Sequence, residues 1–528
     1  MRPRRLLLLL LSLLFACPPA PADARAQGSR RARVSVDVLI SGGKVVDGSG
    51  GEPRRLDVGV RGDRIVFVGD AARARVRAAR TIRADGLVVA PGFIDPHTHT
   101  LEDLSDPARG ANENYLMQGV TTVFTGNDGG GPFRVAETLA AWRRGGIGTN
   151  AALLVGHGTV RQNVMGMSDA APSPAQLARM KELVGRAMAE GAFGISTGLY
   201  YAPGSFAKTE EVIELSRVAA ASGGVYDSHM RDESSYSIGL LGSVEETIRI
   251  GREAKIPVHI SHIKALGTDV WGRSEDVIRL IKRARAEGVE VTADQYPYTA
   301  SGTSITAALV PRWAEAGGTR ELRKRLEDPS VRPRLIAEME ANLKRRGGAR
   351  SLLITAARDR ALVGKTLEDV AKERHLSPVE TAIEIAKNGG AALASFNMSE
   401  RDIENFMRQE FVATGSDGST GHPRKYGTFP RKLREYVYNK KLLTLPAAIR
   451  AGTSLTADSF RLPERGLLRV GYFADVIVFD EATIADRATY EQPELMSVGM
   501  RYVLVNGRVV VEEGKYNGTL AGRALAKR

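Results

Sequence analysis

Histidines and one aspartate recur at the ends of apolar, strand-like runs, and these residue types point to metal chemistry. In LVVAPGFIDPHTHT (87–100), His97 and His99 are two positions apart, so on a strand both side chains would leave the same face. The runs VYDSHMRDE, VHISHIK and ATGSDGS add His229, His259, His262 and Asp417. Histidine nitrogens and carboxylate oxygens are common Zn²⁺ ligands, and a catalytic zinc site keeps one position for water. The pattern therefore predicts a metal site that serves hydrolysis.

Only one of the two histidines in VHISHIK is expected to face this site, because residues three apart on a strand point to opposite faces. We favour His262, which ends the apolar run and lies two residues from Lys264. His259 is assigned to packing or to the shell of residues behind the ligands. His157 in LLVGHGTVR is predicted to line the barrel, and His375, in a helical segment, to lie on the surface.

The candidate ligands lie in a region where strand and helix patterns alternate. Runs such as GVTTVFTG, NAALLVG and GAFGIST are separated by helical patterns such as AQLARMKELVGRAMAEG. This alternation predicts an α/β fold, most simply a TIM-like (β/α)₈ barrel over 91–454, whose strand ends build the active site. The helix-rich, highly charged stretch 311–400 is predicted to be a helical insertion near the barrel mouth.

Both ends of the chain carry short strands separated by turns. The first set lies in 34–90 and includes VDVLISGGKVVD and LDVGVRGDRIVFVG, with Gly and Asp between strands. The second set lies in 455–520 and includes ADVIVFD and YVLVNGRVVVEEGK, where Asn-Gly at 506–507 is a strong hairpin signal. We therefore predict one small, discontinuous β-sandwich domain built from both chain ends.

The first 26 residues predict export to the periplasm or the medium. MRPRRLLLLLLSLLFAC combines a basic start with a leucine-rich run too short for a typical membrane span, and Ala-x-Ala sites end at Ala24 and Ala26. This is the pattern of a signal peptide. The alternative is a lipid anchor at Cys17, because LLFAC resembles a loose lipoprotein box. Cys17 is the single cysteine, so the mature fold is expected to have neither a disulfide nor a thiolate ligand.

The composition is that of a globular protein with a basic surface. Hydrophobic residues make up 43% of the 528 residues, which suits a barrel plus a smaller domain. The net charge is +13, but the basic residues are scattered and no nucleic-acid-binding motif is found. We therefore predict a solvated basic surface, a small-molecule substrate and no nucleic-acid partner. No pattern in the sequence indicates the oligomeric state.

Several spaced motifs resemble those of a known enzyme family. APGFIDPHTHT, the terminal strands and GLLRVGYFADVIVFD look like the amidohydrolase superfamily, whose members share a metal-bearing barrel and a small β-sandwich. GVTTVFTGNDG, ISTGLYYAPG, HMRDE, ISHIK, DQYPYTAS and HPRKYGTFPRKL resemble the N-acyl-D-amino-acid deacylases, or D-aminoacylases. The resemblance runs from about Asp37 to the C-terminal end. It implies zinc-dependent hydrolysis of N-acyl-D-amino acids to a carboxylate and a D-amino acid.

The resemblance also implies a set of metal ligands. They are His97, His99, Asp128, His229, His262 and Asp417. The residue after GN and the two histidines matching His229 and His262 form the stronger position, and the other three form a weaker one. The family usually has a cysteine where this chain has Asp128, and a carboxylate favours Zn²⁺ less exclusively than a thiolate does. We therefore expect one or two Zn²⁺ ions or another divalent metal, and no mechanism that needs a thiol.

The expected mechanism uses hydroxide formed on the metal, which lowers the pKa of bound water from near 16 to about 7. Asp417 is expected to act as general base on this water and then as general acid toward the leaving nitrogen. Lys264 and Arg424 match family positions that bind the substrate α-carboxylate, and Tyr296 or Tyr298 is expected to assist.

Three alternatives stay open at the level of sequence. An exported dipeptidase that releases D-amino acids from short peptides would use the same chemistry. A cyclic-amide hydrolase of the dihydroorotase or hydantoinase type usually needs a carboxylated lysine, and GAFGISTGLY contains none. A non-catalytic relative is disfavoured because usual ligand types are retained everywhere except at Asp128, where a carboxylate still stands.

Overall fold

Parallel strands form a closed barrel at the centre of the protein. A computed structural model describes residues 34–527; the predicted signal peptide and Cys17 lie outside the described residues. The barrel strands are β8 (Phe93–Thr98), β9 (Val120–Thr125), β10 (Asn150–Leu153), β11 (Val155–Gly156), β12 (Gly194–Gly198), β13 (Val225–His229), β14 (Val258–Ile260), β15 (Val291–Gln295) and β19 (Val412–Thr414). All neighbours pair in parallel, and a parallel bridge between Thr98 and Gly418 closes the ring. Since β11 continues β10 after one residue, the predicted (β/α)₈ barrel is confirmed.

Amphipathic helices surround the barrel. In α8 the buried residues Val277, Ile281 and Ala284 recur at helical spacing and face the strands. Ser173 caps α5 in a reciprocal capping box with Gln176. The helices outside the insertion are α1 (Leu101–Ser105), α2 (Glu113–Leu116), α3 (Val135–Gly145), α4 (His157–Met165), α5 (Pro174–Ala189), α6 (Thr209–Ala221), α7 (Gly239–Ala254), α8 (Ser274–Ala286), α14 (Glu400–Met407), α15 (Arg424–Arg431), α16 (Leu445–Ala451) and α17 (Ser454–Ser459). A 3₁₀ turn, Gly204–Phe206, follows β12, and a π-helical segment, Lys432–Asn439, continues α15.

Two sheets from the chain ends pack face to face beside the barrel. One has the order β5-β4-β1-β6 and the other β23-β22-β21-β20-β7-β2-β3. Their strands are β1 (Ser35–Ser41), β2 (Lys44–Val45), β3 (Arg54–Arg55), β4 (Asp57–Arg61), β5 (Arg64–Gly69), β6 (Arg77–Arg83), β7 (Val88–Pro91), β20 (Val476–Phe479), β21 (Met500–Val505), β22 (Arg508–Glu512) and β23 (Lys515–Tyr516). Val38, Ile40, Val476 and Val478 belong to the buried cluster between them. Asn506 has a φ of 49°, as the hairpin between β21 and β22 requires.

The C-terminal boundary of this domain needs correction. The predicted range 455–520 begins inside α17, whose residues pack against the barrel rather than the sandwich, and the sheet resumes only at Val476. Beyond the sandwich, the chain returns to the barrel, where Ala524 pairs with Ala151 of β10.

The insertion also differs from its prediction as a helical segment over 311–400. It starts earlier, because β16 (Ala300–Ser304) pairs with β18 (Ala391–Phe396), which also pairs with β17 (Leu352–Ala357). Alanine and serine are frequent in these strands, so the sequence carried little β signal. The sheet shares a separate core with α9 (Ile305–Leu309), α10 (Thr319–Glu327), α11 (Arg332–Arg345), α12 (Leu367–Arg374) and α13 (Pro378–Lys387). Three 3₁₀ turns complete it: Arg312–Glu315, Ala349–Ser351 and Arg360–Leu362.

Membrane-spanning segments were searched over residues 34–527. Within this range no helix combines the length and the apolar character needed to cross a bilayer.

A buried polar network joins the sandwich to the barrel. Asp475 pairs with Arg465 and accepts hydrogen bonds from Asn506 N (2.8 Å) and from Asn150 Nδ2 (3.2 Å) at the start of β10. Asn506 Nδ2 also donates to Asn150 Oδ1 (2.8 Å). All four residues are buried, so each charge and amide depends on the others.

We expect Asp475→Asn to destabilise the full chain, because it leaves the buried guanidinium of Arg465 without a counter-charge. Removing one partner of a buried ion pair lowers the free energy of unfolding by on the order of 3–5 kcal/mol. Thermal unfolding followed by calorimetry measures the effect. Glu512→Gln, which breaks the solvent-exposed pair with Arg80, is the control and should cost at most about 1 kcal/mol. An equal fall in unfolding temperature in the two variants would contradict a structural role for the network.

Candidate active site

Six candidate ligands converge at the C-terminal rim of the barrel. His97 belongs to β8 and His229 is the last residue of β13, whereas His262 and Asp417 follow β14 and β19. Asp128 follows β9 by a short turn. Parallel strands end at one rim, so residues distant in sequence meet there.

Three of these residues have left-handed backbone conformations. The φ angles are 55° at Asp128, 36° at His262 and 47° at Asp417. Non-glycine residues adopt this region rarely, and such strain is concentrated at functional sites. His262 therefore reaches the site from a turn after β14, not from the strand position that the alternation argument assumed.

The carboxylate of Asp128 lies in the middle of four histidines. Its Oδ1 is 3.4 Å from His97 Nε2, 3.5 Å from His229 Nδ1 and 3.5 Å from His262 Nε2. Its Oδ2 faces His99 Nε2 at 3.5 Å. Oδ1 therefore faces three of the histidines and Oδ2 faces the fourth.

Asp417 completes the cluster from the turn after β19, the strand that closes the barrel next to β8. Its Oδ1 lies 3.0 Å from His99 Nε2 and 3.6 Å from His97 Nε2, and its Oδ2 lies 2.8 Å from Arg424 Nη1. One oxygen therefore faces the candidate ligands and the other is held by a guanidinium.

These distances fit ligand atoms gathered around a cation. Two atoms bound tetrahedrally to one Zn²⁺ at about 2.0–2.2 Å are roughly 3.3–3.6 Å apart, which is longer than a good hydrogen bond. Several buried atoms also have no hydrogen-bond partner among the described residues: both ring nitrogens of His97, Asp128 Oδ1 and His229 Nδ1. Buried polar atoms without partners are rare in proteins. The residues present therefore fit a divalent metal.

The electrostatics of the cluster also favour a cation. Burial would lower the pKa of His97, but the carboxylates of Asp128 and Asp417 raise it to about 10. Burial would raise the pKa of Asp128, yet His97 and His229 hold it well below its usual range. The carboxylate of Asp128 thus stays ionised and, with that of Asp417, favours positive charge, whether a proton or a metal ion, at His97.

A shell of buried polar groups supports the ligands from below. Asp294 Oδ2 lies 4.0 Å from His97 Nδ1 and 3.0 Å from His259 Nε2. His259 therefore lies behind the site, which is the second of the two roles predicted for it. Asp95 Oδ1 accepts a hydrogen bond from the backbone N–H of His97 (3.2 Å), and Asp227 Oδ2 accepts one from Asn127 Nδ2 (3.0 Å). Such partners orient ligands.

Lys264 lies at the site but already has partners. Its Nζ is 2.7 Å from Glu233 Oε1 and 2.6 Å from His262 Nδ1. Glu233, with His229 and His262, forms a second group able to hold a metal. Glu233 stands in the motif HMRDE, four residues after His229, but nothing in the residue pattern marked it as a ligand.

The two candidate tyrosines are placed differently. Tyr296 lines the cavity next to the cluster, and the guanidinium of Arg424 lies over its ring at 4.6 Å. Tyr298 does not line that cavity; its ring contacts His422 and lies under the guanidinium of Arg431. Of the alternatives, the structure therefore brings Tyr296 and not Tyr298 to the site.

The remaining histidines lie apart from the cluster. His422 lines the cavity, with Nε2 3.1 Å from Ala300 O. Burial and the neighbouring Arg424 hold its pKa well below the usual range, so it is neutral. His157 is buried at the start of α4, where it bonds Glu211 (2.8 Å), and His375 is an exposed residue that ends α12.

A cavity of about 840 Å³ opens onto the candidate ligands. The barrel contributes Asp128, His229 and Asp417, and the insertion contributes one wall through β17 and β18. This size is typical of a small-molecule site. A barrel with such a rim cluster and cavity defines a metal-dependent hydrolase.

Comparisons with known proteins agree with this class. The model of the amidohydrolase family matches residues 80–511, so the chain belongs to that family. It is 38% identical to the D-aminoacylase of Alcaligenes xylosoxydans xylosoxydans, over 93% of this chain and 98% of that protein. The predicted resemblance is confirmed.

Solved structures give the same result. A D-aminoacylase crystal structure matches with a TM-score of 0.80 and 37% identity, over 93% of this chain and all of the other. The N-acyl-D-glutamate deacylase of Bordetella bronchiseptica was solved with zinc and a phosphonate inhibitor that mimics the tetrahedral intermediate. It matches with a TM-score of 0.79 and 33% identity, over 93% of this chain and 100% of the other.

We expect Asp128→Asn to lose bound metal, because the amide keeps the shape but not the charge shared among the histidines. Metal analysis by mass spectrometry after dialysis against metal-free buffer measures this. Glu211→Gln is the matched control: it also removes a buried carboxylate next to a histidine, but away from the cluster. Equal metal content in wild type, Asp128→Asn and Glu211→Gln would contradict the assignment.

Proposed function

We propose that this protein is a zinc-dependent amidohydrolase that hydrolyses N-acyl-D-amino acids to a carboxylate and a D-amino acid. The observation that carries the proposal is the carboxylate of Asp128 in the middle of four histidines, next to a cavity lined by cationic side chains. The named activities of the similar proteins supply the substrate class: a D-aminoacylase and an N-acyl-D-glutamate deacylase.

The six candidate ligands would hold one or two Zn²⁺ ions. Asp128 would be shared, with His229 and His262 on one side and His97, His99 and Asp417 on the other. Bound zinc supplies a Lewis acid that polarises the scissile carbonyl and makes a water molecule acidic enough to ionise near neutral pH. With nitrogen and oxygen ligands only, the site also suits other divalent metals.

Asp417 is the residue placed to move the proton. Its Oδ1 faces the ligand cluster, where it would accept the proton of the attacking water and later deliver it to the leaving nitrogen. Its Oδ2 stays in the ion pair with Arg424 Nη1 (2.8 Å). That pair and the nearby histidines lower the pKa of Asp417 against the effect of burial, so the carboxylate starts ionised.

Arg424 and Tyr296 are placed to bind the substrate α-carboxylate. The Arg424 guanidinium is buried, lies over Tyr296 and lines the cavity beside Asp417. The Tyr296 hydroxyl has no hydrogen-bond partner among the described residues. Two donors directed at one carboxylate fix its orientation, which is one of the contacts that selection of an enantiomer needs. The ammonium group of Lys264, which is paired with Glu233, lines the same cavity.

Activity on cyclic amides is less consistent with the site. The fourth barrel strand, β12, has the sequence GISTG and provides no lysine that could be carboxylated. Hydantoinase and dihydropyrimidinase structures match at only 16–18% identity, which reflects the shared fold.

We further propose that the chain is exported, on the basis of the basic start and leucine-rich run of residues 1–26. Expression in a Gram-negative host followed by fractionation and N-terminal sequencing tests this. A periplasmic product that begins after Ala24 or Ala26 is expected, and a lipid-modified Cys17 would support anchoring instead. An unprocessed cytoplasmic product would refute both.

Amine release from N-acetyl-D-amino acids, with the L-enantiomers as controls and added zinc, tests the activity. We expect turnover of D substrates alone. Asp417→Asn should lower kcat about 10²- to 10⁴-fold, because the amide cannot accept the proton. No turnover of either enantiomer by the metal-loaded protein would contradict the proposed function.

A further inference from the structure

The cavity contains a buried arginine that the proposed mechanism does not use. Arg346 directly follows α11 in the insertion, is 2% exposed and lines the same cavity as Asp128 and Asp417. The side chains around it are Tyr200 from the turn after β12 and Tyr236 from the loop after β13. We use "arginine subsite" for Arg346, Tyr200 and Tyr236.

The other buried cations of the cavity region have carboxylate partners. Lys264 pairs with Glu233, and Arg424 with Asp417. The carboxylate of Glu315, which also lines the cavity, is paired with Arg312.

Arg346 is different. Among the residues that the structure describes, no carboxylate oxygen lies within 4.0 Å of its nitrogens. Its hydrogen bonds go to neutral oxygens: Ala308 O (3.2 Å), Ser395 Oγ (3.3 Å) and the Tyr200 hydroxyl (3.2 Å). A buried guanidinium without a counter-charge is costly, and an anionic ligand would remove that cost.

Tyr236 supplies an independent observation. Its hydroxyl is buried and has no hydrogen-bond partner among the described residues, although the side chain lines the cavity. The Arg346 guanidinium lies 5.8 Å from the centre of its ring. A free hydroxyl donor and a guanidinium that line the same cavity are groups able to bind a carboxylate ligand.

The arginine subsite is one tyrosine away from the candidate metal ligands. The rings of Tyr200 and His229 are stacked with centres 5.9 Å apart, and the far end of Tyr200 contacts Arg346. A substrate held with its amide at the ligands and its α-carboxylate at Arg424 would therefore extend another arm toward Arg346.

We propose that the arginine subsite binds a second carboxylate of the substrate, so that the enzyme prefers N-acyl-D-amino acids with two carboxylates. This inference rests on the proposed function. The second carboxylate belongs either to the amino-acid side chain or to the acyl group, and the chemistry of recognition is the same. The competing explanation is that Arg346 only holds the insertion together through Ala308 and Ser395 and ties it to the barrel through Tyr200.

The experiment compares three substrates: N-acetyl-D-glutamate, with an acidic side chain; N-succinyl-D-leucine, with an acidic acyl group; and N-acetyl-D-leucine, with neither. We expect wild type to favour one or both acidic substrates in kcat/KM. Arg346→Met should lower kcat/KM about 10- to 100-fold for the favoured acidic substrate, mainly through KM, because a charge-assisted bond is lost. N-acetyl-D-leucine should change less than about threefold, and Arg346→Lys should restore part of the loss.

Arg325→Met is the matched control. Arg325 lies in the insertion and donates to the backbone carbonyls of Ala314 and Ala316, but it does not line the cavity. The Arg325→Met variant should keep the wild-type ratio of kcat/KM for acidic substrates to kcat/KM for the neutral substrate, even if its stability falls. A loss on N-acetyl-D-glutamate alone assigns the subsite to the side chain, and a loss on N-succinyl-D-leucine alone assigns it to the acyl group. Equal losses on all three substrates would show a structural role and overturn the proposal.

A binding measurement separates this inference from the proposed function. Calorimetric titration of N-acetyl-D-glutamate, N-succinyl-D-leucine and N-acetyl-D-leucine into metal-loaded Asp417→Asn, with and without Arg346→Met, does not depend on turnover. Weaker binding of an acidic ligand only, when Arg346 is replaced, supports the subsite even if wild type hydrolyses none of these compounds. Unchanged binding of both acidic ligands would refute it.

Discussion

The site depends on one electrostatic constraint: carboxylates and histidines are concentrated in a buried place where each must be neutralised. Asp128 touches four histidines, and Asp417 is held between His99 and Arg424. Ionised groups taken out of water are costly unless they are paired, so this cluster is stable only with protons or metal ions to balance it. The closed barrel, the left-handed turns at three ligands and the polar shell beneath them all keep these groups together.

The sequence predicted those parts that follow from local periodicity. The alternation of strands and helices gives the barrel, and polar residues at strand ends identify the rim. The pairing of His97 with His99, and the choice of His262 over His259, agree with where the structure places these residues. The position of His262 has a different local cause, since it comes from a turn with φ of 36° and not from strand alternation.

Other parts depend on tertiary contacts that no local pattern carries. Glu233 and Asp294 matter through what they touch, namely Lys264 and the backs of the ligands. Tyr296 and Tyr298 follow β15 by one and three residues, yet only Tyr296 lines the cavity, because Tyr298 packs against His422. The sheet of the insertion was missed because its alanine- and serine-rich strands have weak β propensity. Arg346 is one arginine in a run of basic residues, and only the fold buries it beside the site.

The central claim is that the Asp128 cluster binds divalent metal through nitrogen and oxygen ligands. Crystals of the metal-loaded protein, measured on both sides of the zinc absorption edge, test it most directly. The account predicts one or two anomalous peaks within bonding distance of Asp128, with the histidines around them. Peaks confined to surface residues, or a fully loaded protein whose only metal lies away from Asp128, would contradict it.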